Sequence, residues 1–82
     1  MILVKEKDNL YPFKKIVKIS KMNNELKSLA FFFINGTIVK FIFDNEENLN
    51  NAYSKLEKAL LIDKSMVINQ EWLGAKQTTC NI

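Results

Sequence analysis

The chain has 82 residues, of which 48% are hydrophobic and 26% are charged, and its net charge is +3. This length predicts one domain over 1–82, because two separate cores would leave about forty residues for each. With no histidine and one cysteine, Cys80, the sequence excludes a histidine base, an internal disulfide and metal centres that need several cysteines.

Two strands are predicted in the first part of the chain, over residues 1–6 and 13–22, because apolar and polar side chains alternate there. Residues 7–9, Lys-Asp-Asn, have the polarity of a turn. Pro12 has no amide hydrogen, so we expect it at the entrance of the second strand rather than inside a sheet.

The strongest local signal is Asn35-Gly36, which separates two runs rich in β-branched and aromatic residues. An Asn-Gly pair favours a two-residue type I′ loop and predicts a hairpin of strands 27–34 and 37–43. This loop sets the register and places Phe32 opposite Val39. Both faces of the predicted hairpin are then apolar.

A helix is predicted over 45–61, where large apolar residues recur every three or four positions. Asp44 is expected to cap its first amide groups, with Glu47 completing a capping box. The apolar stripe of this helix should pack on one face of the hairpin. The expected core combines both elements: Phe32, Val39, Phe41, Phe43, Leu49, Tyr53, Leu56 and Leu60.

The pattern after residue 65 is weaker. Met66-Val67-Ile68 fits a short additional strand near 66–69, and residues from about 75–82 are expected to fray. Trp72 is expected to pack on the core, because a side chain of this size seldom stays in water. Together, the elements predict an α+β fold: a mainly antiparallel sheet of four strands, or five, with one amphipathic helix on one face.

The sequence offers no group of residues suited to catalysis. Cys80 has no histidine to activate it, and Glu46 and Glu47 point in different directions on a helix. Gly36 and Gly74 belong to no phosphate-binding motif. We therefore predict a non-enzymatic protein with no catalytic residue, metal, cofactor or small-molecule substrate.

One helix covers only one face of the hairpin, so the second apolar face has no partner among the predicted elements. This second face would hold five large side chains: Leu29, Phe31, Phe33, Ile38 and Ile42. We expect it to bind another protein, as an inhibitor, adaptor or subunit, or a second copy of the chain in a homodimer. The alternative is that the C-terminal tail folds beneath the sheet, with Trp72 against it.

Single-stranded nucleic acid is the alternative partner for the same face. Phe31 and Phe33 would then stack on bases, and Lys14, Lys18 and Lys40 would contact phosphates. A protein partner is favoured because the neighbouring side chains are aliphatic and the chain has no arginine for bidentate contacts.

The chain begins without the apolar core of a signal peptide, and its longest apolar run, residues 29–34, is far shorter than the roughly 20 residues that span a bilayer. Because a lone thiol also fits a reducing compartment, we expect a cytoplasmic protein that does not bind membranes. Lysine, asparagine, isoleucine and phenylalanine are abundant and have AT-rich codons, which indicates a low-GC bacterium or a mobile element.

Overall fold

The computed structural model describes residues 1–81, which form two β-sheets, two α-helices and a short 3-10 helix at Phe13–Lys15. The strands are β1 (Ile2–Glu6), β2 (Asn9–Pro12), β3 (Ile16–Asn23), β4 (Lys27–Phe33), β5 (Ile38–Phe43), β6 (Met66–Ile68) and β7 (Gln77–Asn81). The helices are α1 (Glu46–Ile62) and α2 (Gln70–Leu73). The predicted α+β class is confirmed.

A four-stranded antiparallel sheet has the order β3-β4-β5-β7, and a three-stranded sheet has the order β2-β1-β6. The predicted antiparallel sheet therefore exists, but its membership differs from the expected one. The chain reverses at Lys7, whose φ of 53° suits a tight turn, so β1 pairs with β2 instead of β3. The short strand predicted near 66–69 is β6, which pairs with β1 in parallel.

Both sheets and α1 share one hydrophobic core. From α1, Leu49, Ala52 and Leu56 are buried against one face of the four-stranded sheet. The three-stranded sheet packs on the same face, where Tyr11 and Phe33 place their ring centroids 5.2 Å apart. Every member of the predicted core except Phe32 lies in this cluster or packs against it.

The β4–β5 hairpin turns through three residues, Ile34-Asn35-Gly36, and not through the predicted two. The Phe33 amide donates to the Thr37 carbonyl at 2.9 Å, and the Gly36 amide donates to the Phe33 carbonyl at 3.0 Å. Gly36 has a φ of +92°, as expected for a type I turn followed by a glycine bulge. The register is therefore shifted by one residue: Phe32 lies opposite Ile38.

The long helix begins one residue later than the predicted cap requires. The Asn45 side chain, and not that of Asp44, accepts a hydrogen bond from the Asn48 amide at 2.8 Å. Asp44 instead lies 3.6 Å from the Lys76 ammonium. The predicted Asp44 cap is wrong because the helix starts at Glu46, which puts Asn45 in the capping position.

The C-terminal segment, expected from its sequence to be weakly ordered, contains α2 and then β7. Strand β7 pairs with β5 and places Cys80 opposite Val39. Gly74 ends α2 with a φ of +74° and lets the chain turn back toward the four-stranded sheet. Trp72 lies beside α1, where the Lys55 ammonium is 4.5 Å from its ring centroid. Trp72 thus does not cover the second face of the hairpin.

Candidate interaction surface

The four-stranded sheet has a second side, directed away from α1, which we call the outer face. It consists of three rows of side chains that cross β3, β4, β5 and β7 in that order. The rows are Lys18, Phe32, Ile38 and Asn81; Ser20, Ala30, Lys40 and Thr79; and Met22, Ser28, Ile42 and Gln77. Its apolar members do not join the hydrophobic cluster beneath α1, although Ala30 and Ile42 are themselves buried.

The packing layers of the described chain lie on the opposite side of this sheet. The contacts of α1 are with core residues, and the rings of Phe13 and Phe31 meet edge to face with centroids 6.4 Å apart. On the outer face, Phe32, Ile38 and Met22 stay half-buried. The outer face is therefore a sheet surface of mixed polar and apolar side chains that no helix or second sheet of residues 1–81 covers.

Small residues occupy two of the three β4 positions on the outer face. Ala30 is fully buried and Ser28 is 3% exposed, so neither is open to a partner. Phe32 and Ile38 lie in the row next to Ala30 and are both partly exposed. The accessible apolar part of this region is therefore the ring of Phe32 with Ile38 beside it, against which a side chain from another molecule can pack.

The outer face is positively charged. It contains two lysines, Lys18 and Lys40, and no carboxylate among its twelve positions. The Lys18 ammonium lies 5.3 Å from the centroid of the Phe32 ring, a cation–π arrangement that keeps the ammonium accessible from outside. Neither lysine has an ion-pair partner within residues 1–81.

The surface predicted from the sequence does not exist as one face. Leu29, Phe31 and Phe33 are buried in the core, whereas Ile38 and Ile42 lie on the outer face. The physical reason is the three-residue turn: the face assignment was right for β5 and inverted for β4, because a one-residue slip exchanges the two sides of a strand. Phe31 and Phe33 therefore cannot stack on bases.

The three lysines predicted to contact phosphates do not lie on one surface either. Lys18 and Lys40 are on the outer face, but Lys40 lies opposite Ala30 and not opposite Phe31. Lys14 is exposed in the 3-10 helix before β3 and is outside the three rows. The aromatic residue that sequence reasoning missed is Phe32, which alternation along β4 already separates from Phe31 and Phe33.

A contact between two polar side chains lies between the two sheets. The Tyr11 hydroxyl and the Cys80 thiol are 3.5 Å apart, joining β2 to β7. This hydrogen bond, burial and electrostatic interactions with Cys80 and Glu6 raise the pKa of Tyr11 to about 12. The phenol therefore stays protonated at neutral pH, and the contact links the two sheets without supplying a base.

Residues 1–81 hold no group of three or more cysteine or carboxylate side chains placed to bind a metal ion. Over the same residues, no helix has the length and apolarity needed to cross a membrane. Comparisons with protein-family models, curated proteins and solved structures found no match for this chain. Function is therefore inferred from its own residues and geometry.

Proposed function

We propose that the chain is a small, non-enzymatic interaction module that binds a partner protein through the outer face. The observation that carries this proposal is a sheet face opposite the core on which Phe32, Ile38 and Met22 are partly exposed and which no helix or second sheet of residues 1–81 covers. Exposed apolar side chains rimmed by polar residues tend to mark an interaction site.

The extent of the outer face fits the centre of an interface. Four strands spaced about 4.8 Å apart and three rows about 6.8 Å apart give a plane roughly 14 Å on each side between Cα atoms. An exposed apolar residue lies at each end of β4. Ile34 follows the strand and is 71% exposed, and Leu26 precedes it and is 60% exposed. This plane is about a quarter of the roughly 800 Å² per side of a standard interface, so a partner would also contact these residues and others around the face.

Phe32 is the expected anchor of this interface. It is the largest side chain of the outer face, and aromatic residues contribute heavily at the centres of interfaces. The adjacent Lys18 can lay its alkyl stem along the ring and keep its ammonium at the rim.

Single-stranded nucleic acid is the second candidate, because Phe32 shares its face with Lys18 and Lys40. A protein partner is favoured by the rest of the face. Only one aromatic side chain is available for stacking, and Ile38, which pairs with it across the strands, has no polar side-chain atom that could meet bases or phosphates.

The proposal is tested by affinity capture from the native host with the tagged chain and three variants. Phe32→Glu and Ile38→Glu place a charge on the outer face, whereas Leu61→Glu places the same charge on a residue of α1 that is 86% exposed. A partner protein should be retained by the original chain and by Leu61→Glu and lost by the other two, provided that circular dichroism shows all of them folded.

Two results would contradict the proposal. One is a set of captured proteins that does not change between Phe32→Glu and the original chain. The other is capture that disappears after nuclease treatment, together with salt-sensitive binding of a fluorescent single-stranded oligonucleotide, which would favour the second candidate.

A further inference from the structure

We infer that the partner presents an acidic protein surface to the outer face, with carboxylates on either side of an apolar side chain, and is not a second copy of this chain. This inference rests on the proposed function and specifies the chemistry of the partner. It is based on the charged residues of the outer face and on their positions in the sheet.

The first step is the charge balance. Of the twelve positions on the outer face, two are lysines and none is acidic. The ion pair formed within residues 1–81 joins Lys76 to Asp44 and lies outside the outer face, so it does not neutralise Lys18 or Lys40. Lys18 and Lys40 therefore keep their charge for a molecule that binds this face.

The second step is the spacing of the two lysines. They are two strands and one row apart, which ideal sheet spacings convert to about 12 Å between their Cα atoms. Phe32 and Ile38, which are partly exposed, lie beside the line that joins them. Two carboxylates about 12 Å apart, as on two turns of a helix, would reach both ammonium groups while an apolar side chain between them packs on Phe32.

The third step argues against a homodimer through this face. Two copies packed face to face would bring four lysines together, with no carboxylate from either outer face to pair with them. The like charges would repel each other even if the ammonium groups stayed at the rim. The homodimer expected from the sequence relied on Leu29, Phe31 and Phe33, which the core now contains.

The direct test is zero-length cross-linking of the unmodified, tagged chain in host extract. A carbodiimide joins a lysine amine to a carboxylate only where the two groups touch; an amide bond forms, and the carbodiimide takes up the water that is lost. Peptide mass spectrometry is expected to find Lys18 or Lys40 joined to Asp or Glu of the partner protein. Lys58 and Lys64, which belong to α1 and the segment after it, are the internal reference sites.

Two double variants with reversed charges provide a second test. Lys18→Glu with Lys40→Glu is expected to lower retention of the partner at least about tenfold, whereas Lys58→Glu with Lys64→Glu changes the net charge equally and should leave retention unchanged. Raised salt should weaken binding by the original chain. Because the cross-linking arm uses the original chain, it does not depend on the folding of either double variant.

The outcomes separate this inference from the proposed function. A partner that is lost with Phe32→Glu but retained by the Lys18 and Lys40 reversal overturns the acidic surface and leaves protein binding intact. Cross-links that join two copies of the chain overturn it in favour of a homodimer, and nuclease-sensitive retention overturns it in favour of nucleic acid. If no captured protein responds to Phe32→Glu, both fail together.

Discussion

Phe31 and Phe32 are neighbours in β4, yet their side chains lie on opposite sides of the four-stranded sheet. Phe31 is fully buried and meets Phe41 edge to face, with ring centroids 5.5 Å apart. Phe32 is half-buried on the outer face, beneath the Lys18 ammonium. Two residues of the same type therefore have separable roles, since one stabilises the core and the other is available to a partner.

Replacing each phenylalanine with alanine should separate these roles. Phe31→Ala is expected to lower the free energy of unfolding by about 3–5 kcal/mol, because it removes a buried ring and leaves a cavity. Phe32→Ala should lower it by only about 1 kcal/mol, because the ring is partly solvated already. Urea denaturation of the two variants measures the difference. Equal losses would mean that the outer face is covered and would count against the proposed interface.

The hairpin turn provides a second prediction. Gly36 has a φ of +92°, and a Cβ at this position would meet nothing within 4 Å, so the strain of a substitution is conformational and not steric. Gly36→Ala should therefore destabilise the fold by about 1–2 kcal/mol. Gly36→Asn should cost less, because asparagine tolerates positive φ better than other residues with side chains. Thermal or urea unfolding of the two variants provides the comparison.

The same turn explains why the hairpin could be predicted but its faces could not. Asn35-Gly36 is compatible with a two-residue type I′ loop and with a three-residue loop in which glycine forms a bulge. Apolar residues on both sides of β4 accept either register, so the hydrophobic pattern does not choose between them. The choice depends on tertiary packing, because α1 and the three-stranded sheet must meet Phe31 and Phe33 together.

Local signals also explain which elements could be predicted elsewhere. The helix over residues 46–62 has a clear apolar stripe, and its predicted range of 45–61 differs by one residue at each end. By contrast, β7 has the polar sequence Gln-Thr-Thr-Cys-Asn, and its partner β5 is more than thirty residues away. Strands that depend on distant pairing leave little trace in their own sequence, so Thr79 and Gln77 could not be assigned to the outer face.

The helix cap supplies a third prediction, with a neighbouring residue as its control. Asn45→Ala removes the side chain that accepts the Asn48 amide, so the free energy of unfolding should fall by about 1 kcal/mol. Asp44→Ala should have a smaller effect, because its pair with Lys76 is exposed and surface ion pairs contribute roughly 0–1 kcal/mol. A larger loss for Asp44→Ala would show that the helix is capped one residue earlier than the structure indicates.

The contact between Tyr11 and Cys80 predicts a specific response to alkaline pH. The pKa of Tyr11 is about 12 in the folded chain, above the ordinary value of 10.0, chiefly because of the hydrogen bond with Cys80. The folded state thus holds this proton more tightly than the unfolded state. The stabilisation is fully present below about pH 10 and is lost as the pH rises from about 10 to about 12.

Ultraviolet absorbance of tyrosinate measures this titration directly once Tyr53, the second tyrosine, is replaced by phenylalanine. The remaining Tyr11 should ionise near pH 12, and adding Cys80→Ala should move the midpoint down toward 10. Urea denaturation over the same pH range should show a smaller loss of stability in Tyr11→Phe than in the original chain, because the variant has no phenolic proton at this position to release. If Tyr11 instead titrates near 10 in the folded chain with Cys80 present, the hydroxyl is not bonded to the thiol, and a different contact must join β2 to β7.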